Sequence, residues 1–143
     1  MRSFDKESIN LQLLLGLPFL EGTGTVTQDI AKAYHPVALT GVPSWATLAS
    51  GLQVLDFNSA TPDFLQSPAA DTVDLDFTSG DFSMAVWVYI DSLADIREII
   101  NRGRATTDGW RFFIQTDGRF GIQTNQAAAG QTSFSSAGEI VIN

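Results

Sequence analysis

The sequence predicts an all-β fold, an antiparallel β-sandwich built from short strands. Residues 80–90 carry apolar side chains at every second position, which is the period of a β-strand. The dipeptide Asp117-Gly118 lies between two apolar-rich runs and is a preferred hairpin loop. No apolar repeat of helical period is evident beyond a turn or two. These three observations are typical of an all-β protein.

Residues 80–90 are predicted to form the central strand of the sandwich. One side of this strand and most of the other are apolar, so we expect it to lie mid-sheet, covered by a second layer or by a binding surface. Turn-forming residues precede and follow it, namely Gly80-Asp81 and Asp91-Ser92. Its two sides are Phe82, Met84, Val86, Val88 and Ile90, and Ser83, Ala85, Trp87 and Tyr89.

The other strands are predicted from short apolar runs that end at turn residues. Residues 21–25 form a loop, because Gly22 and Gly24 permit positive φ. Residues 29–36 have room for one helical turn, and residues 71–77 alternate acidic and apolar side chains. The predicted strands are 11–19, 37–40, 52–57, 64–67, 97–102 and a strand that begins at 139.

The Asp117-Gly118 loop predicts a hairpin over residues 110–124. With a loop of two residues, Phe113 faces Ile122 across the hairpin. One of the two faces then carries Trp110, Phe112, Ile114, Thr116, Arg119, Gly121 and Gln123.

Composition excludes several classes of function. The formal net charge of −8 leaves no basic stripe to neutralise phosphates, so no nucleic-acid partner is expected. The apolar run at residues 11–15 is too short to span a bilayer, and no membrane insertion or export signal is expected. The chain has no cysteine and one histidine, His35, which rules out thiolate and multi-histidine metal centres within it.

Several segments together resemble the concanavalin A-like lectin/glucanase superfamily, specifically its laminin-G-like branch. Residues 15–25 resemble the first strand and the E-G-x-G loop of that family, and Asp29 lies where a D-x-S-G turn is usual, without the glycine. Residues 55–58 and 63–65 are similar to its F-D-G and D-Y-V pieces. Residues 80–88 resemble G-D-F-T-I-S-A-W-V, and residues 99–103, 109–112 and 117–118 follow the family order.

This resemblance implies a jelly-roll sandwich of two antiparallel sheets. It also implies further strands beyond residue 143. The expected organisation is an N-terminal arm at residues 1–10 and a laminin-G-like domain at residues 11–143. Half a sandwich would leave sheet edges and an apolar face uncovered, so we expect this domain either to be part of a longer chain or to be completed by another chain. Of these two, the longer chain is the favoured expectation.

A carbohydrate site is predicted where an aromatic ring has amide and guanidinium groups beside it. The hairpin face with Trp110, Arg119 and Gln123 has this composition, and Tyr89 and Trp87 on one side of the central strand could contribute. The alternative is core packing between sheets. Core packing is the favoured role for Trp87, whereas for Trp110 both roles stay open.

Calcium is a further candidate ligand, since hard cations bind carboxylate and carbonyl oxygens of loops. The candidate ligands are Asp56, Asn58 and Asp63, or alternatively Asp71, Asp76 and Asp81. Turn formation and solubility explain the same aspartates without a metal.

No enzymatic activity is expected. Glucanases of the resembled superfamily use two closely spaced carboxylates, and here only Asp74 and Asp76 would share one face of a strand. The family E-x-D-x-E signature is missing, and a solvated acidic edge is the favoured interpretation.

The resemblance implies recognition of a glycan or a protein surface. Because the sequence lacks an export signal, the leading hypothesis is a phage or virus structural protein, acting as a capsid decoration or tail-adhesion protein on the virion surface. Its partners would then be other virion subunits. The alternative is a carbohydrate-binding module of a bacterial extracellular or cell-surface protein.

Overall fold

The fold is described from a computed structural model over residues 12–31, 33–77, 81–103, 107–125 and 130–142. The predicted arm at residues 1–10 lies outside these ranges. The chain divides into two units, Met1–Asp74 and Leu75–Asn143. Every strand pairing in both units is antiparallel. The predicted all-β antiparallel fold is therefore confirmed, while the jelly-roll connectivity stays a prediction.

The first unit contains a three-stranded sheet of order β1-β2-β5 and a two-stranded sheet, β3-β4. The indole N–H of Trp45 in β3 donates to the carbonyl of Gly24, 2.9 Å away, and so ties the second sheet to the loop before β1. Gly22 and Gly24 in this loop both have positive φ, as predicted. The strands are β1 (Val26–Gln28), β2 (Pro36–Thr40), β3 (Ser44–Thr47), β4 (Gln53–Asp56) and β5 (Phe64–Gln66).

The second unit is built on a four-stranded sheet of order β6-β7-β8-β9. Its buried apolar residues are Leu75, Trp110, Phe113 and Ile114. The strands β7 and β8 form the predicted hairpin, and β6 matches the predicted strand at 97–102. The strands are β6 (Arg97–Arg102), β7 (Trp110–Ile114), β8 (Phe120–Thr124) and β9 (Gln131–Phe134).

Four predicted elements differ from the structure. The described residues of 11–19 form no strand, and residues 139–142 form none either. Ala69–Leu75 is a 3₁₀ helix kinked at Thr72, not an alternating extended segment. Residues 81–90 of the predicted central strand pair with no other described residue, although they contain no turn, bend or helix. The strands β1, β3 and β9 were not predicted, since all three are short and rich in polar or small residues.

The hairpin register also differs from the prediction, by one residue. Phe113 faces Gly121, and the loop has three residues rather than two. Gly118 adopts φ 75°, and its N–H donates to the carbonyl of Gln115, which closes the longer loop. A shift of one residue changes which side chains share a face. Trp110 therefore lies on the face opposite to Arg119 and Gln123.

We expect Gly121→Ala to lower the free energy of unfolding by about 1–3 kcal/mol, the usual range for an overpacked core. A Cβ at this position would lie 2.5 Å from Cζ of the Phe113 ring, which is 1% exposed. Urea unfolding followed by circular dichroism measures the change. The matched control is Gly130→Ala, whose Cβ would meet, among the described residues, Oδ1 of Asn125 alone, 3.4 Å away. An equal loss in both variants would contradict the steric explanation.

Candidate functional site

The most exposed aromatic side chains of the second unit lie on residues 81–90, which we call the edge segment. Ten residues without a turn or a bend make an extended backbone. Its outward side chains are exposed, and they include Trp87 at 101% and Tyr89 at 75%. Its inward side chains, such as Phe82 and Met84, are half-buried. A fully exposed tryptophan beside an exposed tyrosine is a feature of binding surfaces.

The inward side of the edge segment rests on the hairpin. The ring of Phe82 stacks on Phe77 at 4.4 Å and lies 6.1 Å from Trp110. Residues 84–87 line a cavity of about 310 Å³ together with Phe112 and Phe120. The edge segment is thus a second layer over the even-numbered face of β7 and β8.

An open cleft of about 340 Å³ lies at the C-terminal end of the edge segment. Val88, Tyr89 and Ile90 line one side, and residues 139–141 line the other. The second side is fixed to the hairpin loop, because the N–H of Ile140 donates to the carbonyl of Gly118 at 3.0 Å. The cleft therefore lies between the end of the extended edge segment and a bent segment that is hydrogen-bonded to the hairpin loop.

The predicted carbohydrate residues do not come together. Trp110 is 2% exposed, and its indole N–H donates to the carbonyl of Leu75 at 2.8 Å. On the opposite face, Arg119 pairs with Asp117 and Gln123 accepts from Arg111. The structure favours the core-packing alternative for Trp110. Of the four predicted residues, Tyr89 is the one that lies on the edge segment, where its side chain is 75% exposed.

The prediction for Trp87 is wrong, because core packing was the favoured role for this residue. It lies two positions from Tyr89 on the outward side of the segment, and this spacing was visible in the sequence. The sequence could not show which layer covers that side, since both sides of the segment are apolar.

A second cluster, in the first unit, joins His35 to two carboxylates. His35 Nδ1 lies 2.6 Å from Oδ2 of Asp29, and His35 Nε2 lies 2.9 Å from Oδ1 of Asp74. This arrangement suits an imidazolium, in which both ring nitrogens carry a hydrogen and donate to ionised carboxylates. His35 and Asp29 are both buried. Neither this cluster nor its role was predicted.

Asp29 also organises the backbone around it. Its carboxylate accepts hydrogen bonds from the backbone N–H groups of Gly16, Ala31 and His35, at 2.8–3.0 Å. Burial by itself would raise the pKa of Asp29, but the bonds from His35, Ala31 and Gly16 hold it below its usual value. Burial would likewise lower the pKa of His35, but its hydrogen bonds to Asp74 and Asp29 and their charges raise it. His35, Asp29 and Asp74 thus form an ion-pair network, which we call the clamp. None of these three side chains is a hydroxyl or thiol nucleophile.

The free energy of unfolding is expected to fall as the pH rises above about 6.5, the usual pKa of a histidine. Because folding raises the pKa of His35, the protonated side chain stabilises the fold. This contribution is complete below the pKa of the unfolded state, near 6.5, and it is lost as the pH rises through the pKa of the folded state. The lowered pKa of Asp29 contributes above about 3.8 and is lost in acid. Urea titrations at pH values from about 4 to 9 test this. His35→Asn should remove the alkaline loss, and an unchanged profile in that variant would exclude His35 as its origin.

Asp74 and Asp76, which were considered as a glucanase pair but not favoured in that role, have separate partners. Asp74 binds His35, and Asp76 pairs with Arg102 at 3.3 Å. The premise that these two residues share one strand face is wrong, because Ala69–Leu75 is a 3₁₀ helix. The expectation that the chain is not an enzyme stays a prediction.

The first candidate calcium site, at Asp56, Asn58 and Asp63, contains a turn in which the Asp63 carboxylate binds backbone N–H groups. Oδ1 of Asp63 accepts from Val42 N–H at 2.8 Å, and its Oδ2 accepts from Asn58 N–H at 3.1 Å. The bond from Val42 lowers the pKa of Asp63. Asp56 ends β4, opposite Ser44. Within the described ranges no three His, Asp or Glu side chains are grouped as metal ligands, and calcium binding stays a prediction.

The comparisons with known proteins show the fold. No protein-family model and no curated protein matches the sequence. The solved structure of a segment of an S-layer domain-containing protein from Clostridium thermocellum is similar, with a TM-score of 0.62 and 17% identity. The match covers 88% of this chain, which spans 58% of that structure. The fold class of this chain is therefore all-β, with antiparallel sheets. No described helix is long and apolar enough to cross a membrane.

Proposed function

We propose that this chain is a carbohydrate-binding module of a bacterial extracellular or cell-surface protein. The observation that carries the proposal is the exposed pair of Trp87 and Tyr89, on one side of an extended backbone. Residues two apart on a strand are separated by about 7 Å, so both rings can contact one chain of sugar rings. Each ring offers an apolar face and a polar group at its edge, which suits the mixed surface of a sugar.

The fold comparison supports the location in this proposal. The similar structure comes from a bacterial S-layer domain-containing protein, so the same fold occurs in a protein of that kind. The virion-surface hypothesis receives no such support and stays a prediction. Other subunits of a surface protein are the expected neighbours of the module.

Trp87→Ala is expected to weaken glycan binding by about 10-fold to 30-fold, which corresponds to about 1.4–2 kcal/mol for one aromatic contact. The measurement is a pull-down and titration with purified bacterial cell-wall polysaccharide, cellulose and xylan. Tyr89→Ala is expected to act in the same direction.

The matched control is Tyr34→Ala, which removes an aromatic ring that is 61% exposed in the other unit. This variant should bind as tightly as the original chain. The proposal fails if no polysaccharide binds, or if the Trp87 and Tyr34 variants lose binding equally.

A further inference from the structure

The edge segment has an extended backbone that pairs with no neighbour among the described residues. It runs through ten residues without a turn or a bend, yet no residue of 81–90 joins a strand ladder within the described part of the chain. No backbone hydrogen bond recorded between described residues involves it. Main-chain N–H and C=O groups require partners, and an open strand edge is a template for another strand.

The inward side of the edge segment packs on other residues of the second unit. The stack of Phe82 on Phe77 fixes its beginning, and residues 84–87 in its middle line one cavity together with Phe112 and Phe120. A strand that is ordered before binding loses little further conformational entropy when a partner pairs with it. At its end, the cleft between residues 88–90 and 139–141 leaves room beside the backbone.

The composition of the edge segment defines the chemistry of its partner. Residues 82–90 carry no charge, and both sides are largely apolar. Acidic residues stand at both ends, namely Asp81 and Asp91, and Glu139 lines the cleft. A complementary strand is therefore apolar in its middle and basic at its ends.

A second copy of this chain fits less well. In the antiparallel register centred on Val86, Asp81 of one copy would face Asp91 of the other. Like charges directly opposite each other destabilise a strand pair.

We infer that the edge segment is an acceptor to which a partner polypeptide adds an extended apolar β-strand with basic residues at its ends. The bonds are main-chain bonds in the plane of the segment, while Trp87 and Tyr89 project out of that plane. This surface goes beyond the proposed glycan site and does not depend on it.

The test uses the full chain and a synthetic peptide of eight alternating valines and threonines with two lysines at each end. Binding is measured by calorimetry at low ionic strength, and hydrogen exchange is followed at the amides of residues 82–90. We expect saturable binding and exchange slowed at least about tenfold at these amides. A peptide with glutamates at its ends should bind at least about tenfold more weakly.

A peptide that is N-methylated at every second residue keeps its side chains but cannot pair as a strand. Equal binding of this peptide, or unchanged exchange at residues 82–90, would overturn the inference. A stable dimer whose 82–90 amides are already protected would overturn it too, with a second copy as the occupant. Loss of glycan binding in Trp87→Ala tests the proposed function separately, so either can fail alone.

Discussion

Asp29→Ala is expected to lower the free energy of unfolding by about 3–5 kcal/mol, the range found when one partner of a buried ion pair is removed. Asp29 is 2% exposed and accepts hydrogen bonds from three backbone N–H groups and from the His35 ring. Its loss leaves these donors buried without an acceptor and leaves the imidazolium with Asp74 alone. Urea unfolding at about pH 5.5, where His35 is charged, measures the change.

One further variant separates the charge of Asp29 from its shape, and a second variant is the surface control. Asp29→Asn keeps one acceptor oxygen for backbone N–H groups but removes the charge, and it should lose less stability than the alanine variant. Asp95→Ala removes a carboxylate that is 82% exposed and 3.9 Å from Arg97, and it should change stability by less than about 0.5 kcal/mol. If Asp29→Ala were as mild as Asp95→Ala, the clamp would have no role in folding.

Trp110→Ala is expected to cost about 3–5 kcal/mol, as for other large aromatic residues removed from a core. Its ring is 2% exposed and lies 5.4 Å from the ring of Phe77, and its indole N–H is bonded to Leu75. Truncation therefore opens a cavity and leaves the carbonyl of Leu75 without this donor. The loss should appear in the urea midpoint and in near-ultraviolet circular dichroism.

The matched control for Trp110 is Trp87, which is fully exposed. Trp87→Ala should change the free energy of unfolding by less than about 0.5 kcal/mol while it alters ligand binding. A larger loss of stability from Trp87 than from Trp110 would contradict the assignment of these two residues to surface and core.

Local sequence patterns predicted several elements correctly. The strand Arg97–Arg102 and the hairpin of β7 and β8 follow from apolar runs and from Asp117-Gly118. The strand Pro36–Thr40 follows from a short apolar run that ends near a glycine. Each of these signals is contained within about fifteen residues, so the sequence alone is enough to reveal it.

The hairpin register was not decided locally. Asp117-Gly118 is compatible with loops of two or three residues, and the longer loop is stabilised by bonds from distant residues. Gly138 N–H donates to the carbonyl of Asp117, and Ile140 N–H donates to that of Gly118. These donors lie 21 and 22 positions from their acceptors, so the register cannot be obtained from the loop sequence alone. The register in turn determined which side chains share a face with Trp110.

The sequence by itself determined the all-β class, the hairpin and the acidic, cysteine-free character of the chain. Tertiary structure alone decided the site, because burial and pairing are relations between distant residues. His35 and Asp74 are 39 positions apart, and no spacing rule connects them. Trp87 has the apolar neighbours Val86 and Val88 in the sequence, yet it is exposed, whereas Trp110 beside Gly109 is buried. The difference arises because the rings of Phe77 and Phe82 pack against Trp110, whereas no described residue covers the outward side of Trp87.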